Sequence, residues 1–163
     1  MRKYAVTFLF FCVQLAHASS DDDMRSRLAA LYGESAVYEQ FYQTLVTSIV
    51  NGDADQLAMM NDYPVEVRTS GGTLQLKNQG DFHAHFDAIV NEDLKRIAKE
   101  QSFATLFANS NGLMIGSGEI WFTGICVGTD PNDPCAKVNV KVMSYDNTIS
   151  SQPTAANVQP TTS

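Results

Sequence analysis

Between Met24 and Val50 the apolar residues Leu28, Leu31, Val37, Tyr38, Phe41, Tyr42, Leu45, Ile49 and Val50 recur at steps of three and four. That spacing predicts amphipathic helix. Gly33 divides it into a short helix and a longer one over 34–50, and the polar 19–23 segment can cap the first. Asn51-Gly52-Asp53 closes the second, and Asp53 is placed to cap a short helix over 54–60. Met59 and Met60 end that helix and read as core filler. From Pro64 the period changes to two. Residues 65–68 and 73–77 alternate on either side of Gly71-Gly72, which predicts a β-hairpin.

Helical spacing returns over 78–90, with Phe82, Phe86, Ile89 and Val90 on one face, and continues over 91–101 with Leu94 and Ile97. Four strands follow, over 103–108, 112–116, 119–127 and 136–145, with Gly, Asn and Pro between them. Helices, a hairpin, helices and then strands make an α+β chain, with helices on one face of a curved antiparallel sheet.

Ahead of this pattern stand Arg2 and Lys3, an apolar run over 4–15 too short to span a bilayer, and Ala16-His17-Ala18. These are the parts of a secretory signal cleaved after Ala18, which predicts a periplasmic or secreted protein. The domain then covers 19–146. Residues 147–163 are rich in Thr, Ser, Pro, Ala, Asn and Gln, a composition that predicts a disordered tail.

Charge narrows the partners. The chain has 18 acidic and 11 basic residues, a formal net charge of −7, and loss of Arg2 and Lys3 makes it two units more negative. Such a chain is repelled by nucleic acid and by anionic lipid, so neither is expected as a partner, nor any membrane after signal cleavage.

Of the three cysteines, Cys12 leaves with the signal, while Cys126 and Cys135 flank the turn-rich VGTDPNDP. An even pair in an exported chain favours a disulfide. A metal-bound pair is the competing reading, but two thiolates with no histidine nearby make a poor zinc set. Asp130-Pro-Asn-Asp133 lacks the spacing of a calcium loop and reads as a solvated turn.

Candidate chemistry is sparse. His83 and His85 would chelate a metal from a strand, but on a helix a two-residue step turns about 200° and points them apart. His83 with Asp87, and Asp81 with His85, are spaced for local pairing. His85 is the candidate acid–base group, Glu119 the candidate carboxylate base or ligand contact, and Tyr63 the candidate hydrogen-bond donor. Trp121 shares a strand face with Glu119, and Arg68 could fork a ligand carboxylate. Each of these five also has a purely structural reading. No metal and no cofactor is expected. Phosphate-binding glycine loops, G-x-S-x-G and H-E-x-x-H are absent.

The words YPVEVR, DFHAHFDAIVNEDLKRIAKEQ and GLMIGSGEIWF, in this order of elements, resemble the nuclear transport factor 2-like superfamily. This is the cystatin-like cone shared with ketosteroid isomerases and SnoaL-like proteins. The similarity runs over 34–145 and is nearest to small exported bacterial members. It implies a pocket between helices and concave sheet, a histidine near position 85, and pairing of two copies through the sheet. The chain is expected to be a non-catalytic binder of a small molecule or peptide through Tyr63, Arg68, His85, Glu119 and Trp121. The alternatives are a protein-partner binder, such as a toxin-neutralising immunity protein, and an isomerase or lyase using Glu119, His85 and Tyr63.

Overall fold

The chain is described by a computed structural model, in which residues 20–128, 132 and 135–149 are placed. The expected signal, most of the Asp130–Asp133 turn and nearly all of the expected tail lie outside those residues.

Helix α1 (Asp21–Tyr32) starts with a capping box, in which the Ser20 hydroxyl accepts from the Asp23 N–H and the Asp23 carboxylate accepts from the Ser20 N–H. It stops at Gly33, whose φ of 83° is the left-handed conformation that ends helices. Helix α2 (Ala36–Asn51) buries Tyr38, Tyr42, Leu45 and Ile49, one stripe at three- and four-residue spacing. Helix α3 (Ala54–Met60) is capped by the Asp53 side chain. Arg25 forks Glu39 through two 2.7 Å hydrogen bonds and joins α1 to α2.

Strand β1 (Asn61–Thr69) begins directly after α3, three residues before Pro64, and makes the expected hairpin with β2 (Gly72–Leu76). The expected helix over 78–90 is two pieces, α4 (Gln79–Ala84) and α5 (Phe86–Ile89), broken at His85. Helix α6 (Glu92–Glu100) follows. The strand expected over 103–108 is a 3-10 turn, Phe103–Thr105, and a short β3 (Phe107–Asn109). Local bonds hold that turn: Gln101 Nε2 donates to Thr105 Oγ1 at 2.8 Å, and the Thr105 N–H to the Ser102 carbonyl at 3.2 Å. Strands β4 (Gly112–Ile115), β5 (Ile120–Cys126) and β6 (Val138–Asp146) complete the chain.

The helices pack on an open six-stranded sheet in the order β2-β1-β6-β5-β4-β3, an α+β fold. One pairing departs from the expected antiparallel sheet: β1 and β6 run parallel. They lie far apart in sequence, so no tight turn constrains their relative direction. The core lies between the inner sheet face and the helices, where Val65, Val67, Leu113, Ile115, Ile120, Phe122, Val142 and Tyr145 meet Leu45, Ile49, Leu57, Phe82, Ile89 and Leu94. Tyr145 is fully buried and donates to Asn61 Oδ1 at 2.8 Å, which satisfies its hydroxyl inside the core.

Asn147, which composition assigned to the tail, is buried; its amide donates to the Ala88 and Ile89 carbonyls at 2.7 and 2.9 Å. The folded unit therefore reaches past 146. Cys126 and Cys135 form a disulfide, Cα to Cα 4.5 Å, across the β5–β6 connection. A loop of that length stabilises the fold by roughly 2–3 kcal/mol through loss of unfolded-chain entropy. Among the described residues no helix is long and apolar enough to cross a membrane.

Candidate functional site

Helix α2 has a second stripe beside its buried one: Val37, Gln40, Phe41 and Thr44, again three and four apart. This stripe forms one wall of a cleft of about 300 Å³. Gln56, Met59 and Met60 of α3 form a second wall, and residues 138–141 of β6 the floor. The Phe41 ring leans on Phe122 with centroids 5.5 Å apart, which anchors the first wall to the core. Met59 is 50% exposed, so it borders the cleft rather than filling the core as its sequence context predicted. Lys141 Nζ donates to the Met59 carbonyl at 2.7 Å, a cation held against the C-terminal end of α3.

Among the described residues the lining contains no carboxylate, imidazole or thiol, and its one ionisable group there, Lys141, is already engaged. Such a surface can hold apolar groups and exchange hydrogen bonds through the amides of Gln40, Gln56 and Asn139. It has no acid–base pair with which to move a proton. Among the described residues no cluster of three or more His, Cys, Asp or Glu is arranged to bind a metal.

The residues singled out from the sequence lie elsewhere. Glu119 is 4% exposed and precedes β5. Its Oε2 accepts the Ser117 N–H at 2.6 Å, folding the carboxylate back over the β4–β5 turn. In the same turn the Gly116 N–H donates to Gln101 Oε1 at 3.1 Å, and Gly116 has a φ of +67°. A Cβ there would collide with Glu119 Oε2 and lie 2.9 Å from Ile97 Cγ2. The carboxylate thus packs directly against a glycine, whose other neighbour is Ile97 of α6. Trp121 pairs across the sheet with Met114 and Ser144, its ring 6.5 Å from that of Phe107. Glu119 lies in the turn just before β5, where its carbonyl accepts the Asp146 N–H at 2.9 Å and its carboxylate is bonded back within the turn, whereas Trp121 stands inside the strand.

Tyr63 donates to the Ala58 carbonyl at 2.9 Å and accepts from Asn61 Nδ2 at 3.3 Å, tying β1 to α3. Burial pushes its hydroxyl pKa up, with the Asn61 bond opposing. Arg68 is exposed at the hairpin end of the sheet, 2.7 Å from Glu66 and 3.5 Å from Asp146. Partial burial pushes the Asp146 carboxyl up, but hydrogen bonds from Thr148 and the charge of Arg68 outweigh it and hold the carboxyl below its ordinary range.

His85 is exposed, with Nδ1 2.9 Å from the Asp81 carbonyl rather than its carboxylate, which accepts the Lys77 N–H. His83 reaches Asp55 of α3 at 3.3 Å instead of Asp87. None of Tyr63, Arg68, His85, Glu119 and Trp121 lines the cleft. No family model, curated protein or solved structure matches the chain.

The cleft residues Phe41, Met59 and Val138–Lys141 were not singled out from sequence. The one signal was the width of the α2 apolar face, where Val37 and Phe41 extend the stripe beyond what a single core contact needs.

Proposed function

We propose that this is an exported, non-catalytic binding protein whose α2–α3–β6 cleft holds a small molecule or peptide through apolar contact and amide hydrogen bonds. The observation that carries this reading is the separation of chemistry from space. The open cleft, lined by amide, hydroxyl and apolar side chains, has no acid–base pair among the described residues, and the candidate acid–base groups Glu119 and His85 are buried in a turn or exposed at a helix end. Export is supported by the leader pattern and by a disulfide of the kind that persists in oxidising compartments. The order helices–hairpin–helices–strands supports membership of the nuclear transport factor 2-like superfamily.

Titration with the uncharged fluorophore N-phenyl-1-naphthylamine tests the reading. Met59→Glu places a charge in the cleft wall and is expected to weaken binding about tenfold or more. Glu119→Gln and His85→Ala are expected to leave it unchanged. Binding indifferent to Met59→Glu, or abolished by either of the other two, overturns the assignment.

A second reading, a protein partner or second copy at the sheet face that no helix among the described residues covers, is supported by Phe107 (43% exposed), Met114 and Trp121, which stand side by side across β3, β4 and β5. A monomer in sedimentation at high micromolar concentration, unchanged by Trp121→Ser, rejects pairing of copies there.

A further inference from the structure

Strand β6 is paired over only part of one of its edges, because β1 is offset along it. On one edge β5 pairs with it along its length, from Ile120 opposite Tyr145 to Cys126 opposite Val138. On the other edge β1 pairs only from Val142, opposite Asn61, to Asp146, opposite Arg68. Before Asn61 the chain is helix α3, which leaves the line of the sheet. Residues 138–141 therefore have no strand on that edge among the described residues. The same four residues form the cleft floor.

The hydrogen-bond phase shows which groups face the vacant edge. The Val127 N–H donates to the Lys137 carbonyl at 2.9 Å, which makes these two a hydrogen-bonded pair. In an antiparallel ladder such pairs alternate with pairs whose main-chain groups point away from each other. Asn139 and Lys141 thus bond to β5, opposite Ile125 and Thr123, while Val138 and Val140 turn their N–H and C=O outward to the other edge. Val142, two residues on, uses that edge to meet β1.

We propose that the ligand is an extended peptide segment of another protein, which adds to β6 in the place β1 leaves vacant. This rests on the binding reading above and names its ligand class. Two donor–acceptor sets repeating every two residues, about 6.8 Å apart, are complementary to another extended main chain. The side chains the peptide turns inward meet Val37, Phe41 and Met59, so they are apolar. Those turned outward lie beside Asn139 and Lys141 and are polar. The net charge of −7 favours basic residues flanking this segment.

The test uses the full exported protein and a blocked heptapeptide in which three valines alternate with two threonines between terminal lysines. Two derivatives carry N-methyl groups, one on the valines and one on the threonines. Only one set of main-chain N–H groups can face β6, so one derivative is expected to lose about tenfold or more in affinity and the other to bind like the parent. Amide exchange at Val138 and Val140 is expected to slow on binding. Equal affinity of both derivatives overturns strand addition. So does failure of the parent peptide to bind at millimolar concentration. In both cases unchanged fluorophore titration, with its loss in Met59→Glu, leaves the binding reading standing. Protection of Val138 and Val140 that grows with protein concentration alone assigns the edge to a second copy and also overturns the proposal.

Discussion

The β4–β5 turn and the α2–α3–β6 cleft treat their polar groups in opposite ways. In the turn a carboxylate is taken out of water, and its surroundings are built to hold it: the Ser117 N–H on Oε2, a glycine where no side chain fits, and Ile97 behind. In the cleft a stretch of the β6 edge has no strand paired to it among the described residues, beside half-exposed apolar side chains. Burying an unpaired charge costs several kcal/mol, so a buried carboxylate persists only where the fold satisfies it. An open strand edge is satisfied by water until a partner replaces that water. The residue that looks most chemical in the sequence is therefore held within the fold, and the surface proposed to bind is a different one.

Four substitutions, at three positions, press on this contrast. Gly116→Ala forces a Cβ into the Glu119 carboxylate at a left-handed φ, and is expected to cost about 3 kcal/mol in urea unfolding. The folded fraction should bind the fluorophore as before. A cost under about 1 kcal/mol would mean that the carboxylate does not pack against this glycine.

Glu119→Ala is expected to cost about 2 kcal/mol, because the Ser117 N–H loses its acceptor at a part-buried site. Glu119→Gln keeps an oxygen acceptor and is expected to cost less than about 1 kcal/mol. If the two cost the same, the charge matters rather than the acceptor, and Glu119 does more than close a turn.

Met59→Gln has the smallest expected effect on stability, within about 0.5 kcal/mol, since half of the side chain is already in water. Fluorophore binding should still weaken. A stability loss above about 1 kcal/mol would return Met59 to the core and remove it from the cleft wall.

Much of the architecture is legible in short words of sequence. Gly33 ends α1, Asp53 caps α3 and Gly71-Gly72 turns the hairpin, because each acts on main-chain groups within a few residues of itself. The 78–90 segment fails this reading at His85, where the helix breaks although the apolar spacing continues. The 103–108 segment fails because Gln101, Ser102 and Thr105 bond one another and hold a tight turn. Asn147 looks like the start of a polar tail until its amide meets the carbonyls of Ala88 and Ile89, some sixty residues earlier.

The candidate site was less legible. Alternation counted from Glu119 puts it beside Trp121, and what the sequence does not show is that the carboxylate turns back to the Ser117 N–H of its own turn. The cleft needs α2, α3 and β6 together, and nothing in any one of them marks it.

From the residues alone come the helices and their caps, the hairpin, the α+β order and the pairing of Cys126 with Cys135. All of these depend on periodicity, turn chemistry or compartment, which operate over a few positions or over the whole composition. Tertiary structure decided the parallel pairing of β1 with β6, the burial of Glu119 and the stretch 138–141 of β6 that no described strand pairs on its β1 side. These depend on which distant segments meet and where one of them stops, and local periodicity carries no record of that.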